Sequence, residues 1–259
     1  MSPLFEPSPL FLHRSQTAVQ ERRARIREIC HYQVKLHNRH QKTLQRTRLA
    51  NKELMLNLSI LVLKYNPKYE EIIHRRLQHV KYTFRCLPLL NSMNFDFTNC
   101  PKMTDKAFLN ILSAVRHMRG LKSLIISFAS CIGTNDSTLR SLRYTLIRLV
   151  NLQNLGLRFD HCEQITDQGI LEMSKGLNFS KALKSLSFVF SWCLGISDKT
   201  SKYLANTFNN LQNLKAFTLS FNSCRQLTDE NFKYLGEGLK KLTSLKSLNL
   251  NTSHMENIY

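Results

Sequence analysis

Long apolar runs are missing from this chain of 259 residues. The longest one, from Leu54 to Leu63, is interrupted by Asn57 and Ser59, and it falls short of the roughly 18 to 20 apolar residues that a membrane-spanning helix needs. The amino terminus also lacks a basic patch that leads into an apolar core, which argues against a secretory signal peptide. We therefore expect no transmembrane segment and an intracellular protein, cytoplasmic rather than nuclear.

Acidic residues are scarce, and the number of cysteines is odd. The chain has 18 Asp and Glu against 37 Lys and Arg, a net charge of +19, which suits an acidic partner such as nucleic acid, an anionic membrane surface or an acidic protein. Seven cysteines in a chain without a signal peptide favour reduced thiols over a disulfide framework. A hydrophobic content of 42% is enough for a sizeable core.

An internal repeat dominates the rest of the sequence. Five cysteines follow one another with a constant period of 31: Cys100, Cys131, Cys162, Cys193 and Cys224. Apolar columns keep the same register, and they give the unit L-x-x-L-x-L-x-F-x-x-C. Because a fixed period of this length is typical of repeat architectures, it decides the fold prediction.

Each unit contains the pattern of one strand and one helix. Apolar and polar residues alternate before the cysteine, which indicates a strand with one buried face. A Thr-Asp, Asn-Asp or Ser-Asp pair follows the cysteine and predicts a helix start, with the aspartate opposing the helix dipole. Apolar residues then recur at helical spacing, as in Leu139, Leu142 and Leu146. One unit cannot bury both its faces, so neighbouring units must stack.

The unit that begins at residue 152 resembles the leucine-rich-repeat family in its cysteine-containing branch. The matching residues are Leu155, Leu157, Phe159, Cys162, Ile165, Thr166, Asp167 and Gly169. The length of 31 departs from the roughly 26-residue form and is similar to long repeats of single-celled eukaryotes. The resemblance implies a curved α/β solenoid with parallel strands on the concave face and helices on the convex face, used as a recognition surface.

Three regions are predicted along the chain. Residues 1–16 form a disordered tail that contains three prolines. Residues 17–89 form a basic helical region that caps the repeats, because Thr17 to Leu63 contain no proline or glycine. Residues 90–259 form the leucine-rich repeats, with five full units that start at residues 90, 121, 152, 183 and 214 and a partial sixth unit at residue 245.

The regular cysteines raise the question of a metal site. Zinc needs four ligands around one ion at about 2.3 Å, whereas stacked strands hold equivalent side chains about 4.8 Å apart in a line. We interpret Cys100, Cys131, Cys162, Cys193 and Cys224 as a structural ladder of buried thiols. No metal, cofactor or catalytic residue is predicted, because no triad-like spacing or kinase signature singles out a reactive group. The chain is therefore not expected to be an enzyme.

Two sets of residues are candidates for binding. Polar or aromatic side chains near the strands could contact a protein partner, and Arg and Trp are enriched at interface hot spots: these are Asp96, Arg158, Asp160, Trp192 and Asn222. A surface Arg–Asp pair and a partly packed Trp would explain the same residues without a partner. The run Arg22, Arg23, Arg25 and Arg27 could bind phosphates or acidic surfaces, or could serve only solubility.

These patterns predict a protein–protein interaction scaffold or recognition module that uses the repeat surface. One alternative is a nucleic-acid or ribonucleoprotein-associated factor that uses the basic amino-terminal region. A second alternative is an F-box-like ubiquitin-ligase adaptor, although Leu87 and Pro88 run directly into the first repeat. The partner itself is not identified by the sequence.

Overall fold

Short parallel strands lie side by side in one sheet, in the order in which they occur along the chain. The computed structural model describes residues 90–100 and 104–252 and the backbone of residues 60–64, which all belong to a unit spanning Leu56–Tyr259. The strands of this described part are β1 (Ile60–Lys64), β2 (Ser92–Asp96), β3 (Ser123–Ser127), β4 (Asn154–Arg158), β5 (Ser185–Val189), β6 (Ala216–Ser220) and β7 (Ser247–Asn251).

A helix follows each of the strands from β2 to β6. These helices are α1 (Asp105–Val115), α2 (Asp136–Arg148), α3 (Asp167–Leu177), α4 (Asp198–Thr207) and α5 (Asp229–Leu239), and a 3-10 turn at Phe208–Asn210 extends α4. Consecutive helices pack against one another, as consecutive strands do. The predicted α/β solenoid is therefore confirmed. Among the described residues, no helix is long and apolar enough to cross a membrane.

The repeat period appears directly as strand register. Ser92 pairs with Ser123, and Asn154 pairs with Ser185, so each step from β2 to β7 advances the chain by one full repeat. Leucine and phenylalanine columns consequently stack into continuous rows. The rings of Phe128, Phe159 and Phe190 are parallel within 7° and have centroids 5.3 and 5.4 Å apart. Each unit thus completes the interior of the next.

Strand side chains alternate between the core and the other face of the sheet. Met93 and Phe95 are buried in β2, and Leu155 and Leu157 are buried in β4, whereas the residues between them are half-buried or exposed. We call the less buried side of β2–β7 the open face. In β7 all five residues, including Leu248 and Leu250, are exposed.

The starts of the four helices α2 to α5 are capped by the first residue of the predicted pair. The side-chain oxygens of Asn135, Thr166, Ser197 and Thr228 each accept a hydrogen bond from the main-chain N–H two residues further on. These bonds satisfy a donor that the helix itself cannot satisfy. The aspartates after them occupy the first helical turn.

The structure corrects the prediction for one part of the amino-terminal region. Residues 60–64 form strand β1, which pairs in parallel with β2, and not a helix. Ile60 pairs with Ser92, which is one position more than a full repeat, so the strand lies outside the register of the repeat columns. A short apolar run fits a buried strand as well as a helix segment. The predicted tail at 1–16 and the rest of the predicted cap at 17–89 lie outside the described residues.

Candidate functional site

The chain turns sharply after each of the strands β2 to β6, through one residue in the left-handed region. These residues precede the ladder cysteines and have φ angles between 54° and 59°: Asn99, Ser130, His161, Trp192 and Ser223. Main-chain hydrogen bonds to the next unit hold the turns, for example from His161 N–H to the Ser191 carbonyl at 2.9 Å and from Trp192 N–H to the Asn222 carbonyl at 2.8 Å. The repeat therefore imposes this backbone conformation, whatever the side chain is.

Two aromatic side chains occupy neighbouring positions in this column. The indole of Trp192 stacks on the imidazole of His161, with centroids 5.6 Å apart and planes within 11°. Both residues are exposed, Trp192 at 45%. Leu194, two residues further on, is also exposed. The result is an aromatic plate at the edge where the strands end, fixed by the backbone beneath it.

An ion pair lies beside this plate. The Nε of Arg158, at the end of β4, donates to Oδ2 of Asp160. Only 9% of the Asp160 side chain is exposed, against 60% of the Arg158 side chain. The predicted pairing along one strand is therefore present. Because the bond uses Nε, the terminal nitrogens of the guanidinium can still donate to a partner.

The remaining predicted residues lie at different distances from the plate. Asn222 is half-buried in the unit that follows Trp192, and its carbonyl accepts the Trp192 N–H bond. Asp96 ends β2 and accepts a bond from the N–H of Thr98 at 3.2 Å. Since β2 lies two strands from β4, Asp96 is about 10 Å from Arg158 along the sheet. The other four candidates lie in the three consecutive units of β4, β5 and β6, and Asp96 lies two units before the first of them.

The middle of the open face is shallow. Its central column consists of the residues Asn94, Ile125, Gly156, Ser187, Thr218 and Asn249. Ile125 is 45% exposed and borders Gly156, where an added Cβ would lie 3.5 Å from the isoleucine side chain. This column offers small contacts and one large apolar side chain, that of Ile125, in contrast to the aromatic edge.

The ladder cysteines are buried free thiols. From Cys131 onward, each Sγ donates to the carbonyl of the phenylalanine in the preceding unit: the distances are 2.8 Å from Cys131, 3.2 Å from Cys162, 3.0 Å from Cys193 and 2.7 Å from Cys224. Burial raises the pKa of Cys131 and Cys224 to about 11 and that of Cys162 to about 12. It also raises the pKa of Cys193. These thiols are protonated at neutral pH and tie adjacent turns together.

Metal ligands do not cluster in the part of the chain that the structure describes, where no group of three or more His, Cys, Asp or Glu could hold an ion. The basic candidates Arg22, Arg23, Arg25 and Arg27 lie outside the described residues. An interaction of that run with nucleic acid therefore stays a prediction.

Sequence reasoning missed a second set of contacts between units. The carboxylate of Asp136 accepts from the N–H and the hydroxyl of Thr166, at 2.9 and 2.7 Å, and Asp198 accepts in the same way from Thr228. The sequence predicts only that these aspartates oppose the helix dipole. Each aspartate lies one position less than a full repeat before the threonine that caps the helix of the next unit. This constant spacing in the sequence could have indicated a hydrogen bond between adjacent units.

Comparison with known proteins gives structural likenesses at low sequence identity, among them the two that follow. No family model and no curated protein sequence matches the chain. A solved structure of leiomodin-1 actin-binding site 2 is 18% identical over 67% of this chain and 90% of its own, with a TM-score of 0.44. The tropomodulin C-terminal domain of Caenorhabditis elegans is 14% identical over 66% of this chain and 92% of its own, with a TM-score of 0.45. We infer no shared function from likenesses at this level.

Proposed function

We propose that this chain is a non-catalytic protein-recognition module whose contact surface is centred on the stacked pair of His161 and Trp192. We call Arg158, Asp160, His161, Trp192 and Leu194 the strand-exit surface. One observation carries the proposal: the only tryptophan of the chain stands at a left-handed position, with φ 59°, and is 45% exposed.

The position does not require an aromatic side chain for folding. Asn99, Ser130 and Ser223 fill the same turn in other units, and Asn is among the residues that tolerate the left-handed region best. A bulky residue there costs about 1 to 2 kcal/mol. Almost half of the residue surface remains in solvent, so much of the apolar burial that a tryptophan can gain is not used by the fold. A partner that covers the indole would add this burial on binding.

The strand-exit surface is also rigid before binding. The turn that holds Trp192 is fixed by the main-chain bond to Asn222 and by the buried Cys193 that follows it. A preorganised aromatic anchor loses little conformational entropy on association. Trp and Arg are the residue types that most often dominate interface energies, and both occur here beside an acidic group that orients the arginine.

Several finer properties belong to the same proposal. The repeat is of the cysteine-containing leucine-rich type, as its Cys-x-x-Ile-Thr-Asp string from Cys162 to Asp167 implies. The protein is intracellular, because a reducing compartment would keep its ladder thiols free. It presents a surface and carries out no reaction.

The proposal is tested with the full chain as bait in quantitative affinity purification from its source cells. The variants are Trp192→Ser and Arg158→Ala. Tyr144→Ser is the matched control, because Tyr144 is an aromatic residue exposed at 52% on α2, away from the strand exits. We expect partners retained by the wild type and by Tyr144→Ser to fall at least about tenfold with Trp192→Ser, as is usual for a hot-spot residue. Equal recovery with all three variants would overturn the assignment of this surface.

A further inference from the structure

A row of lysines runs along the opposite edge of the sheet, where the strands begin. Lys122, Lys184, Lys215 and Lys246 occupy the position just before β3, β5, β6 and β7, and Gln153 fills it before β4. All four lysines are exposed. We call them the lysine ladder.

Main-chain hydrogen bonds hold the ladder in line. Lys184 N–H donates to the carbonyl of Gln153, Lys215 N–H donates to that of Lys184, and Lys246 N–H donates to that of Lys215, at 2.7 to 2.8 Å. Adjacent strands lie about 4.8 Å apart. The last three lysines are therefore consecutive neighbours in one row.

The loops around the ladder are basic throughout. Residues 116–123, 147–154, 178–185, 209–216 and 240–247 lead from a helix to the next strand, and they contain no Asp or Glu. Their ten cations are Arg116, Arg119, Lys122, Arg148, Lys181, Lys184, Lys215, Lys240, Lys241 and Lys246. We call these five loops the basic edge. Within the described part of the chain, the ion pairs that form use other cations: Arg143, Arg158, Lys175 and Lys233.

Structural needs account for only part of this charge. Arg116, Arg148 and Lys240 lie at helix carboxyl ends and complement the helix dipole. The lysine ladder lies beyond the helices, at the strand starts. Like charges on directly neighbouring strand positions destabilise a sheet, so a row of three lysines without carboxylates weakens the fold. An anionic ligand would remove that repulsion.

Two exposed apolar side chains project from the same edge. Val150 is 52% exposed and Phe179 is 54% exposed, and both belong to the loops of the basic edge. Arg148 and Lys181 are their near neighbours in sequence. Exposed apolar side chains surrounded by cations are typical of surfaces that bind anionic bilayers. The apolar groups insert into the interface, and the cations are attracted to the lipid headgroups.

We propose that the basic edge docks the protein on an anionic lipid surface, with Phe179 and Val150 entering the headgroup region. Loops from five successive units reach the same edge of one regular array, which matches a flat surface better than a groove. A single exposed phenylalanine gives little of the aromatic stacking that single-stranded nucleic acids use. The strand-exit surface lies at the other end of the strands, so a protein partner and a membrane can be bound together.

The test is co-sedimentation of the full chain with vesicles of phosphatidylcholine mixed with phosphatidylserine, and with vesicles of phosphatidylcholine alone. We expect binding to the mixed vesicles only. A lysine near such a surface contributes about fivefold to partitioning, which corresponds to about 1 kcal/mol. The triple variant Lys184→Glu, Lys215→Glu, Lys246→Glu should therefore bind the mixed vesicles at least about 100-fold more weakly than the wild type.

A charge-matched control separates this edge from general attraction. Lys106→Glu, Lys199→Glu, Lys233→Glu changes the net charge equally at exposed lysines outside the basic edge, and it should bind within about threefold of the wild type.

The apolar part of the proposal is tested with Phe179→Ser, which should lower vesicle binding about tenfold, because the inserted ring would lose its apolar burial. Trp192→Ser should leave vesicle binding unchanged, so failure of this proposal is distinguishable from failure of the protein-recognition proposal. Equal vesicle binding by the two triple variants would overturn membrane docking through the basic edge. Membrane docking would also be overturned, in favour of nucleic acid, if the wild type did not bind mixed vesicles but bound single-stranded RNA through the lysines of the ladder.

Discussion

The carboxylate of Asp167 joins two repeat units, and its removal gives a sharp test of how the array is held together. Oδ1 accepts from the N–H of Ser197 at 3.0 Å and from the hydroxyl of Thr200 at 2.6 Å. Oδ2 accepts from the hydroxyl of Ser197 at 2.6 Å. We predict that Asp167→Ala lowers the free energy of unfolding by about 3 kcal/mol.

The magnitude follows from three hydrogen bonds of about 1 kcal/mol net each. Thr200 is fully buried, so its hydroxyl would lose its acceptor where water cannot easily replace it. For a protein of this size a loss of about 1 kcal/mol lowers the melting temperature by about 2 to 4 °C. We expect a decrease of roughly 6 to 12 °C on this basis.

Asp229→Ala is the matched control, because Asp229 begins α5 as Asp167 begins α3. No described residue donates to its carboxylate, so the variant should lose only the interaction with the helix dipole, about 0.5 kcal/mol. Urea unfolding followed by circular dichroism at the helix band measures both variants. Equal losses for the two would refute the reasoning that the aspartates hold neighbouring units together.

Three further predictions concern packing, titration and the anchor residue. Gly176→Ala should destabilise the fold by about 1 to 3 kcal/mol, because the added Cβ would lie 2.8 Å from the backbone of α2. Gly236→Ala, with nothing within 4 Å, should instead stabilise its helix by up to about 1 kcal/mol, as thermal unfolding would report. In the folded protein the pKa of the Cys131 and Cys224 thiols is raised from 9.0 to about 11. Above pH 9 the unfolded state therefore binds fewer protons, so stability should fall as pH rises from 9 to 11, and the slope should be shallower when both residues are alanine. Trp192→Ser should lower the free energy of unfolding, measured in urea, by no more than about 1 kcal/mol, because the side chain is nearly half exposed and serine fills the same turn at positions 130 and 223; a larger drop would indicate a structural role.

The repeat explains why most of the fold could be predicted from the sequence. Five cysteines and four apolar columns in one register specify the strand positions and the helix starts, because each copy supports the same interpretation. Strand β1 was not predicted from the sequence. Its register with β2 is offset by one residue, and no cysteine marks the unit before Cys100, so only the short apolar run at Ile60 to Leu63 hinted at it.

The candidate site was predicted in part. Arg158, Asp160 and Trp192 stand out in a sequence of small residues, and the structure places them in adjacent units. The stacking of His161 on Trp192 was missed, although both precede ladder cysteines and lie one full repeat apart in the sequence. Asp96 looked equivalent along the sequence, but β2 lies two strands before β4, outside the three consecutive units that hold the other candidates. The distance between two candidate residues depends on how many repeat units separate them. The sequence gives that number only when residues at the same repeat position are compared unit by unit.

The identity of the contact surface is tested most directly by photo-crosslinking in cells. A benzophenone-bearing amino acid in place of Trp192 should form a covalent adduct with a discrete protein, because we propose that a partner covers the strand-exit surface. The same amino acid in place of Tyr144, on the helical side, should give no such adduct. An adduct that forms equally at both positions, or only at position 144, would contradict recognition through the strand exits.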